Sequence, residues 1–289
     1  MNLRSILFVP ADRPDRFAKA AASGADAVIL DLEDSVALAA KDQAREAVAA
    51  FLRTERPCPV LVRVNPLESG LITADLAAAL PGRPDAIVLP KAEGAESVGT
   101  LLALMGAQAV PILPIATETP AAVFELGSYG DVRAALLGLT WGAEDLPAAI
   151  GAATAREADG RYTPPYELAR SLTLFGAHKA GVAAIETVYP ALADAEGLAA
   201  YAARARRDGF TGMMALHPAQ VPVINQAFTP TQAEIDHARR VVSLFAGDPT
   251  LGVVQLDGRM IDRPHLMQAQ ALLARLAPLA RPAPLARPA

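Results

Sequence analysis

The sequence predicts a (β/α)8 TIM barrel followed by a C-terminal helical lid extension. Eight apolar runs recur along the 289 residues, and Ala-rich stretches with a helical pattern lie between them. The runs are continuously apolar and do not alternate with polar residues, which is typical of parallel strands covered on both faces. Repeated strand–helix units of this number favour a closed barrel, a fold that often uses about 250 residues.

The predicted strands follow one another at regular intervals, at 5–10, 27–33, 59–65, 86–92, 109–117, 134–140, 182–189 and 212–218. The stretches between them include KDQAREAVAAFL, AESVGTLLALMG and EGLAAYAARARRDG, and several end in the glycine that commonly terminates a helix. A doubly wound open sheet is the alternative. It would need a glycine-rich turn after the first strand, and FVPADRPDR contains no glycine.

Three regions are expected along the chain. Residues 1–228 form the barrel, residues 229–277 form the extension, and residues 278–289 form a tail. The extension holds the helical pattern TPTQAEIDHARRVVSLFAG, a short strand-like run at 253–259, and the segment MIDRPHLMQAQALLARLA. The tail repeats APLARP, and its frequent prolines prevent regular structure, so we expect it to be disordered or polyproline-like.

Composition excludes several classes of function. A net charge of −5 gives no electrostatic reason to expect nucleic acid or an anionic membrane as a partner. The single cysteine, Cys58, excludes an intramolecular disulfide and a cysteine-cluster metal site. The first apolar run is too short for a signal peptide, and no stretch is long enough to span a bilayer. We therefore expect a cytoplasmic protein that handles small molecules.

Polar side chains follow almost every predicted strand. In a barrel of parallel strands these positions share one rim, where the chemistry of this fold takes place. The rim residues are Asp31, Glu33, Asp34, Arg63, Asn65, Lys91, Glu93, Glu118, Glu144, Asp145, Glu186 and His217. A charged residue after a strand is often only solvated, so each position has a structural interpretation beside a functional one.

Two of these carboxylates predict a metal site. Glu118 and Asp145 each follow an uninterrupted apolar run, where an unpaired carboxylate would be costly. Two carboxylates with substrate oxygens and water form a natural Mg²⁺ shell, and no histidine or cysteine spacing favours zinc. Arg63, at a neighbouring strand end, offers a guanidinium fork to a substrate carboxylate.

The other rim residues allow structural roles. Asp31 and Glu33 are at least as well explained by capping or by pairing with Lys91 as by catalysis. Glu186 is better explained as structural, and His217 is equally consistent with a structural role and with a hydrogen bond to substrate.

Several blocks together resemble the citrate lyase β subunit family, the wider group of HpcH/HpaI aldolases and malyl-CoA lyases. The blocks occur in order over residues 3–276, as SILFVPADRPDRFAKAAASGADAVILDLEDSV, LVRVNP, IVLPKAE, PIATETP, WGAEDL, ALHPAQVPVINQAFTPT and DGRMIDRPHLMQAQ. The resemblance implies a Mg²⁺-dependent TIM-barrel lyase that assembles as a homotrimer or hexamer.

The resemblance also implies roles for single residues. Glu118 and Asp145 match the family's metal ligands, with Glu118 also touching substrate, and Arg63 matches the arginine that holds the oxo-acid. Asp262 matches an aspartate on the C-terminal lid, which in relatives closes over a neighbouring subunit's active site; it is our candidate catalytic base. Arg13 lies in the segment near which relatives bind the CoA nucleotide.

The expected reaction is carbon–carbon cleavage or formation beside a thioester. A citryl-, malyl- or citramalyl-thioester, carried by CoA or by an acyl carrier protein, would yield an oxo-acid and an acetyl thioester. One alternative is a class II aldolase that acts on free 2-oxo-acids. The extension that carries Asp262 argues against this alternative. The other is a lyase subunit that holds an acyl thioester but needs an acyl carrier partner for turnover.

Overall fold

The computed structural model describes residues 3–246 and 251–276. These residues form two units, 3–228 and 229–276, and each has its own internal packing. The predicted tail at 278–289 lies outside the described residues. Among the helices of the described part, none has the length and apolar character that crossing a bilayer requires.

The first unit is the predicted (β/α)8 barrel, with all eight predicted strands present. They are Ser5–Pro10 (β1), Ala27–Asp31 (β2), Val60–Arg63 (β3), Ala86–Leu89 (β4), Ile112–Pro114 (β5), Gly138–Thr140 (β6), Ala183–Glu186 (β7) and Gly212–Ala215 (β8). Every ladder between them is parallel, and the sheet runs in the order β5-β4-β3-β2-β1-β8-β7-β6.

The barrel closes between β5 and β6 through isolated parallel bridges, Ile112 with Leu136 and Ile115 with Thr140. Two backbone hydrogen bonds cross this seam, from Leu137 N to Ile112 O at 2.8 Å and from Ala116 N to Thr140 O at 2.9 Å. The seam is therefore less extensively paired than β1 with β2, whose register covers five residue pairs. Closure brings the loops after β5 and β6 side by side.

Helices follow the strands around the barrel. They are Phe17–Ala21 (α1), Lys41–Leu52 (α2), Ile72–Ala79 (α3), Gly94–Met105 (α4), Pro120–Glu125 (α5), Leu146–Ile150 (α6), Pro164–Ala180 (α7), Ala195–Asp208 (α8) and Gln220–Phe228 (α9). Local sequence explains several ends. Thr119 caps α5 by accepting a hydrogen bond from Ala122 N, and α7 ends at Gly181 with a φ of 69°.

Two apolar clusters stabilise the barrel. One lies between the sheet and the helices, and it includes Leu30, Val62, Ile87 and Leu139. The other fills the barrel interior with side chains such as Ile29, which point to the opposite face of the same strands. Because both faces of each strand are buried, the strands carry the continuous apolar runs seen in the sequence.

The second unit contains the helices Gln232–Ala246 (α10) and Arg263–Ala274 (α11) and an antiparallel hairpin of Val253–Leu256 (β9) and Arg259–Asp262 (β10). The sequence predicted a helical extension with one short strand at 253–259. Asp257 and Gly258 both have positive φ values, as the two-residue turns of hairpins require, so the chain reverses there and a second strand forms.

Candidate active site at the carboxyl ends of the strands

The barrel carries a cavity of about 400 Å³ at the carboxyl ends of its strands. Arg63, Glu118 and Asp145, which the sequence singled out, all line it. The other lining residues are Phe8, Pro10, Asp31, Asp34, Ser35, Ile115, Gly142, Ala143, Glu144, Thr187, Val188, Met214 and Leu216. The fold therefore brings together three residues that lie up to 82 positions apart in the chain.

Glu118 follows β5 and is buried, with 4% of its surface exposed. Its Oε2 accepts a hydrogen bond of 2.6 Å from Lys91 N. Burial, with a smaller contribution from the negative charges of Asp145 and Glu33, raises the pKa of Glu118 to about 8, against the lowering effect of this hydrogen bond. A nearby cation would favour the ionised form of this carboxylate.

Asp145 lies beyond β6, immediately before α6, and is partly exposed to the cavity. The loop that carries it is tied to the loop of Glu118. Thr117 Oγ1 donates to Gly142 O at 3.0 Å and accepts from Gly142 N at 3.1 Å. The two carboxylates are thus held on adjacent, cross-linked loops.

Gly142 leaves the space that Glu118 occupies. A Cβ atom at this position would lie 2.7 Å from Glu118 Cγ and 2.8 Å from Glu118 Oε1, far inside normal contact distances. A larger residue would therefore displace the carboxylate. The glycine of the WGAEDL block has a steric role that its sequence context alone did not reveal.

Lys91 contacts both predicted metal ligands with different groups. Its backbone N–H binds Glu118, while its Nζ lies 3.3 Å from Asp145 Oδ1 and donates to Glu33 Oε1 at 2.9 Å. Pairing with Lys91, one of the structural roles considered for Glu33, is therefore present in the structure. Lys91 has a φ of 50°, a left-handed conformation that costs free energy in a non-glycine residue and often occurs at functional sites.

Arg63 is held by two carboxylates. Its Nε and Nη2 donate to the two oxygens of Asp31 at 2.6 and 2.7 Å, and its Nη1 lies 2.8 Å from Glu33 Oε2. The second contact lacks hydrogen-bond geometry, since Glu33 Oε2 is buried without a hydrogen-bond partner. Burial acts to raise the pKa of Asp31, but the hydrogen bonds and charge of Arg63 hold it below its usual value.

The orientation of Arg63 leaves part of its guanidinium for a ligand. Asp31 occupies the Nε/Nη2 edge, so the Nη1/Nη2 edge keeps N–H groups that this pair does not use. The ring of Phe8 lies under the guanidinium, 4.9 Å from Cζ. Asp31 and Phe8 therefore fix Arg63 with its end directed away from the ion pair.

A second polar layer supports the ends of β2 and β3. Lys41 Nζ, which is buried, donates to the carbonyls of Leu32 and Glu33 and to Asn65 Oδ1. Asp75, on α3, accepts from Asn65 and from Arg45. Sequence reasoning did not single out Lys41 or Asp75, because a lysine or aspartate within a helical pattern carries no sign of burial.

Two predicted rim residues have structural surroundings. Glu186 is fully buried and accepts hydrogen bonds from Trp141, Arg170 and Tyr201. His217 is exposed, and its Nδ1 accepts from Ala219 N just before α9. These contacts explain both residues without substrate.

Arg13 is not among the residues that line the cavity. Arg13 is partly exposed on the loop after β1 and lies 3.5 Å from Asp15. Asp262 belongs to the second unit and caps α11, with hydrogen bonds to the backbone and side chain of His265. The hydrogen bond from His265 lowers the pKa of Asp262.

The donor set fits Mg²⁺. Glu118 and Asp145 supply oxygen ligands, and the pKa of Glu118, which burial raises to about 8, means that a cation in this place would be needed to keep that carboxylate ionised at neutral pH. Groups of three or more His, Cys, Asp or Glu placed to hold a metal do not occur in residues 3–246 and 251–276. Mg²⁺ tolerates so few protein ligands, because it usually retains several waters.

Comparisons with known proteins identify the family that the chain resembles. The family described as HpcH/HpaI aldolase/citrate lyase matches residues 4–218. The chain is 37% identical to the protein CitE of Mycobacterium tuberculosis, crystallised with magnesium, acetoacetate and coenzyme A, with a TM-score of 0.79 over 95% of this chain and 98% of that one.

One further structure and one further relative are also similar over most of their length. A citrate lyase β subunit from M. tuberculosis, solved with oxaloacetate and magnesium, is 38% identical, with a TM-score of 0.68 over 79% of this chain and 98% of that one. A (3S)-malyl-CoA thioesterase of Cereibacter sphaeroides is 32% identical over 94% of each chain.

Proposed function

Since the chain belongs to the HpcH/HpaI aldolase/citrate lyase family, we propose that it is a Mg²⁺-dependent carbon–carbon lyase. It cleaves a 3-hydroxyacyl thioester, such as a malyl-, citramalyl- or citryl-thioester, into an oxo-acid and an acetyl thioester, or it catalyses the reverse condensation. The observation that carries this proposal is the convergence of Arg63, Glu118 and Asp145 on one cavity at the strand ends.

Arg63 binds the carboxylate of the oxo-acid. Its Nη1/Nη2 edge can donate two parallel hydrogen bonds to a carboxylate, a geometry that fixes orientation as well as position. Because Asp31 and Phe8 already hold the guanidinium, little further ordering is required when substrate binds. A carboxylate bound in this way would have its neighbouring carbonyl carbon held in one orientation, and the presence of Glu118 and Asp145 in the same cavity supports this role for Arg63.

Glu118 and Asp145 would hold Mg²⁺ through their carboxylate oxygens. When bound there, the ion would act as a Lewis acid toward the oxygen that gains negative charge on the oxo-acid. Lys91 keeps both carboxylates in place through its N–H and its ammonium group. The crystallised relatives, whose structures contain magnesium with acetoacetate or oxaloacetate, support this assignment.

The reaction also requires proton transfer. In the cleavage direction a base takes the alcohol proton, the carbon–carbon bond breaks to leave the oxo-acid carbonyl, and its electron pair passes to the carbon beside the thioester. That carbon then takes up a proton to give the acetyl thioester. In the synthetic direction Asp262 is the candidate base for the thioester α-proton. The hydrogen bond from His265 lowers the pKa of Asp262, which keeps the carboxylate ionised but weakens it as a base, so this role requires that the carboxylate leave that hydrogen bond or be shielded from water when substrate is bound.

The assembly and the acyl carrier belong to the same proposal. If a neighbouring copy supplies Asp262, as the family resemblance implies, activity requires a homotrimer or hexamer. Arg13, on the loop after β1, is a candidate contact for the CoA nucleotide. An acyl carrier protein in place of CoA remains the alternative carrier, and a class II aldolase acting on free 2-oxo-acids remains the alternative activity.

A product assay tests the proposal. Purified protein with Mg²⁺ and malyl- or citramalyl-CoA should release an oxo-acid and acetyl-CoA, and the reverse mixture should consume both. Release of free CoA and a hydroxy-acid would instead indicate hydrolysis, the reaction named for the C. sphaeroides relative. Asp145→Asn should abolish the magnesium-dependent turnover, whereas Glu96→Gln, on the exposed surface of α4, should not.

A further inference from the structure

Lys41 is a buried cation that binds three oxygen atoms on the segments after β2 and β3. It is the first residue of α2, and 7% of its surface is exposed. Its Nζ donates to the carbonyls of Leu32 and Glu33 at 2.6 and 2.8 Å and to Asn65 Oδ1 at 2.8 Å. An ammonium group has three donors, so these hydrogen bonds use all of them. The ammonium therefore joins the segment that follows Asp31 to the segment that follows Arg63.

The two carbonyls that Lys41 binds lie on either side of the Glu33 Cα. The Leu32 carbonyl belongs to the planar peptide group before this atom, and the Glu33 carbonyl belongs to the peptide group after it. Holding both groups fixes the backbone from which the Glu33 side chain extends. That side chain is buried and reaches Arg63 Nη1 at 2.8 Å and Lys91 Nζ at 2.9 Å. Lys41 thus directs a carboxylate towards Arg63 through the backbone.

The peptide group between Leu32 and Glu33 also connects Lys41 to Asp31. Its C=O accepts from Lys41, and its N–H, the amide of Glu33, donates to Asp31 Oδ1 at 2.9 Å. The same Asp31 oxygen accepts from Arg63 Nε at 2.6 Å. A continuous hydrogen-bonded path therefore runs from the ammonium through one peptide group and one carboxylate to the guanidinium. Hydrogen bonds in such a chain polarise one another, so the loss of the first weakens those that follow.

The charge of Lys41 does more than anchor its helix. Apolar side chains already pack α2 against the barrel, since Ala44, Val48 and Leu52 are buried members of the cluster between the sheet and the helices. An ammonium group in the same position is costly to bury. The distinct contribution of Lys41 is therefore the ordering of the segment after β2.

We infer that Lys41 is a positioning residue for Arg63. It fixes Asp31 and Glu33, and these two carboxylates hold the guanidinium in the orientation that leaves its Nη1/Nη2 edge for a ligand. This inference rests on the proposed role of Arg63 in binding the oxo-acid carboxylate, and it adds to that role a residue that does not line the cavity. Loss of the ammonium should weaken oxo-acid binding far more than metal binding, because the proposed metal ligands lie on the loops after β5 and β6.

Lys41→Met tests the inference, because it removes the ammonium and keeps an unbranched side chain. The ¹H–¹⁵N correlation spectrum of the arginine Nε–H groups, with the Arg63 signal assigned from an Arg63→Lys protein, reports on the guanidinium without any substrate. We expect hydrogen exchange at Arg63 Nε to accelerate by at least about tenfold, the factor that one lost hydrogen bond readily supplies.

Two binding measurements accompany the spectrum. Calorimetry in excess MgCl2 compares glyoxylate, pyruvate and oxaloacetate, and the acid that the wild type binds best should bind Lys41→Met at least about tenfold more weakly. The affinity for Mn²⁺ alone, measured by EPR, should change by less than about threefold, because the ammonium makes no hydrogen bond to the proposed metal ligands.

Val48→Ala is the matched control for lost stability. Val48 is fully buried in the same helix, and its truncation loosens the packing of α2 without removing a hydrogen bond to the segment after β2. This variant should match the wild type in all the measurements. If Lys41→Met does not fold, Lys41→Gln repeats the test with the same expected direction, since its amide keeps two donors but no charge.

The outcomes separate the inference from the proposed function. Unchanged exchange at Arg63 Nε in a folded Lys41 variant overturns the inference, as does the same acceleration in Val48→Ala. A loss of Mn²⁺ affinity equal to the loss of oxo-acid affinity indicates general damage to the site and also overturns it. If the wild type binds none of the acids, the proposed function fails, while the exchange measurement still decides whether Lys41 positions Arg63.

Discussion

Replacing Glu118 by Gln should stabilise the metal-free protein above neutral pH. Burial raises the pKa of Glu118 from an ordinary value of 4.5 to about 8, so folding favours its protonated form. The associated stability is fully present below about pH 4.5 and is lost as the pH rises through about 8. Gln keeps the shape and an acceptor for Lys91 N–H but carries no charge.

The size of the effect follows from the pKa. Each pH unit between the unfolded and folded values changes the free energy of unfolding by about 1.4 kcal/mol. The unfavourable contribution of Glu118 therefore reaches about 3 kcal/mol at pH 7 and somewhat more at pH 8.5. The Gln amide must find partners of its own at a cost of about 1 to 3 kcal/mol. We expect a net gain of about 1 to 3 kcal/mol at pH 8.5.

Urea unfolding in EDTA at pH 5, 7 and 8.5 measures this difference. Trp141 is the single tryptophan and is buried directly after β6, so its fluorescence reports on the barrel near the site. Glu96→Gln, on the exposed surface of α4, is the control and should match the wild type at every pH. Added Mg²⁺ should stabilise the wild type and leave Glu118→Gln unchanged.

Two results would refute this reasoning. A difference between wild type and Glu118→Gln that does not grow from pH 5 to pH 8.5 would show that Glu118 does not carry the buried charge. Equal stabilisation of both proteins by Mg²⁺ would show that Glu118 is not a ligand. The first result concerns the pKa and the second concerns the metal, so they are read separately.

Other substitutions separate shape from chemistry. Gly142→Ala should displace the Glu118 carboxylate, which we expect to weaken Mg²⁺ binding by at least tenfold and to destabilise the barrel by about 1 to 3 kcal/mol; unchanged Mn²⁺ binding measured by EPR would contradict this. Asp262→Ala should destabilise α11 by removing its helix cap, whereas Asp262→Asn keeps a good cap. If Asp262 is the base, both variants lose turnover; normal turnover in Asp262→Asn would leave Asp262 only its capping role.

The eight strands were predictable because strands buried on both faces must be apolar throughout. Their ends were less predictable. The run at 109–117 yields only Ile112–Pro114 as strand, and Pro111, directly before it, lacks the N–H that a ladder requires. The hairpin of the second unit was missed, although Asp257-Gly258 is a recognised hairpin signal.

The site was predictable to the level of single strand ends. Parallel strands share one rim, so Arg63, Glu118 and Asp145 had to approach one another once the barrel was recognised. Their partners depended on tertiary placement. Neither the two hydrogen bonds between Arg63 and Asp31 nor the left-handed conformation of Lys91 has a local sequence signal. Such contacts arise between residues that are distant in sequence, and their geometry decides which edge of Arg63 remains available.

The sparsely bridged closure between β5 and β6 has a consequence for motion in the barrel. Glu118 and Asp145 lie on the loops directly beyond these two strands. An ion bound by both side chains would therefore link β5 and β6 where few backbone hydrogen bonds join them. Local opening should then begin at this seam and be suppressed by the ion. Amide exchange at Leu137 and Ala116, whose N–H groups cross the seam, should slow in Mg²⁺ more than exchange in the ladder of β1 and β2. Metal binding would then control both the reactivity of the site and the rate at which the barrel opens locally between β5 and β6.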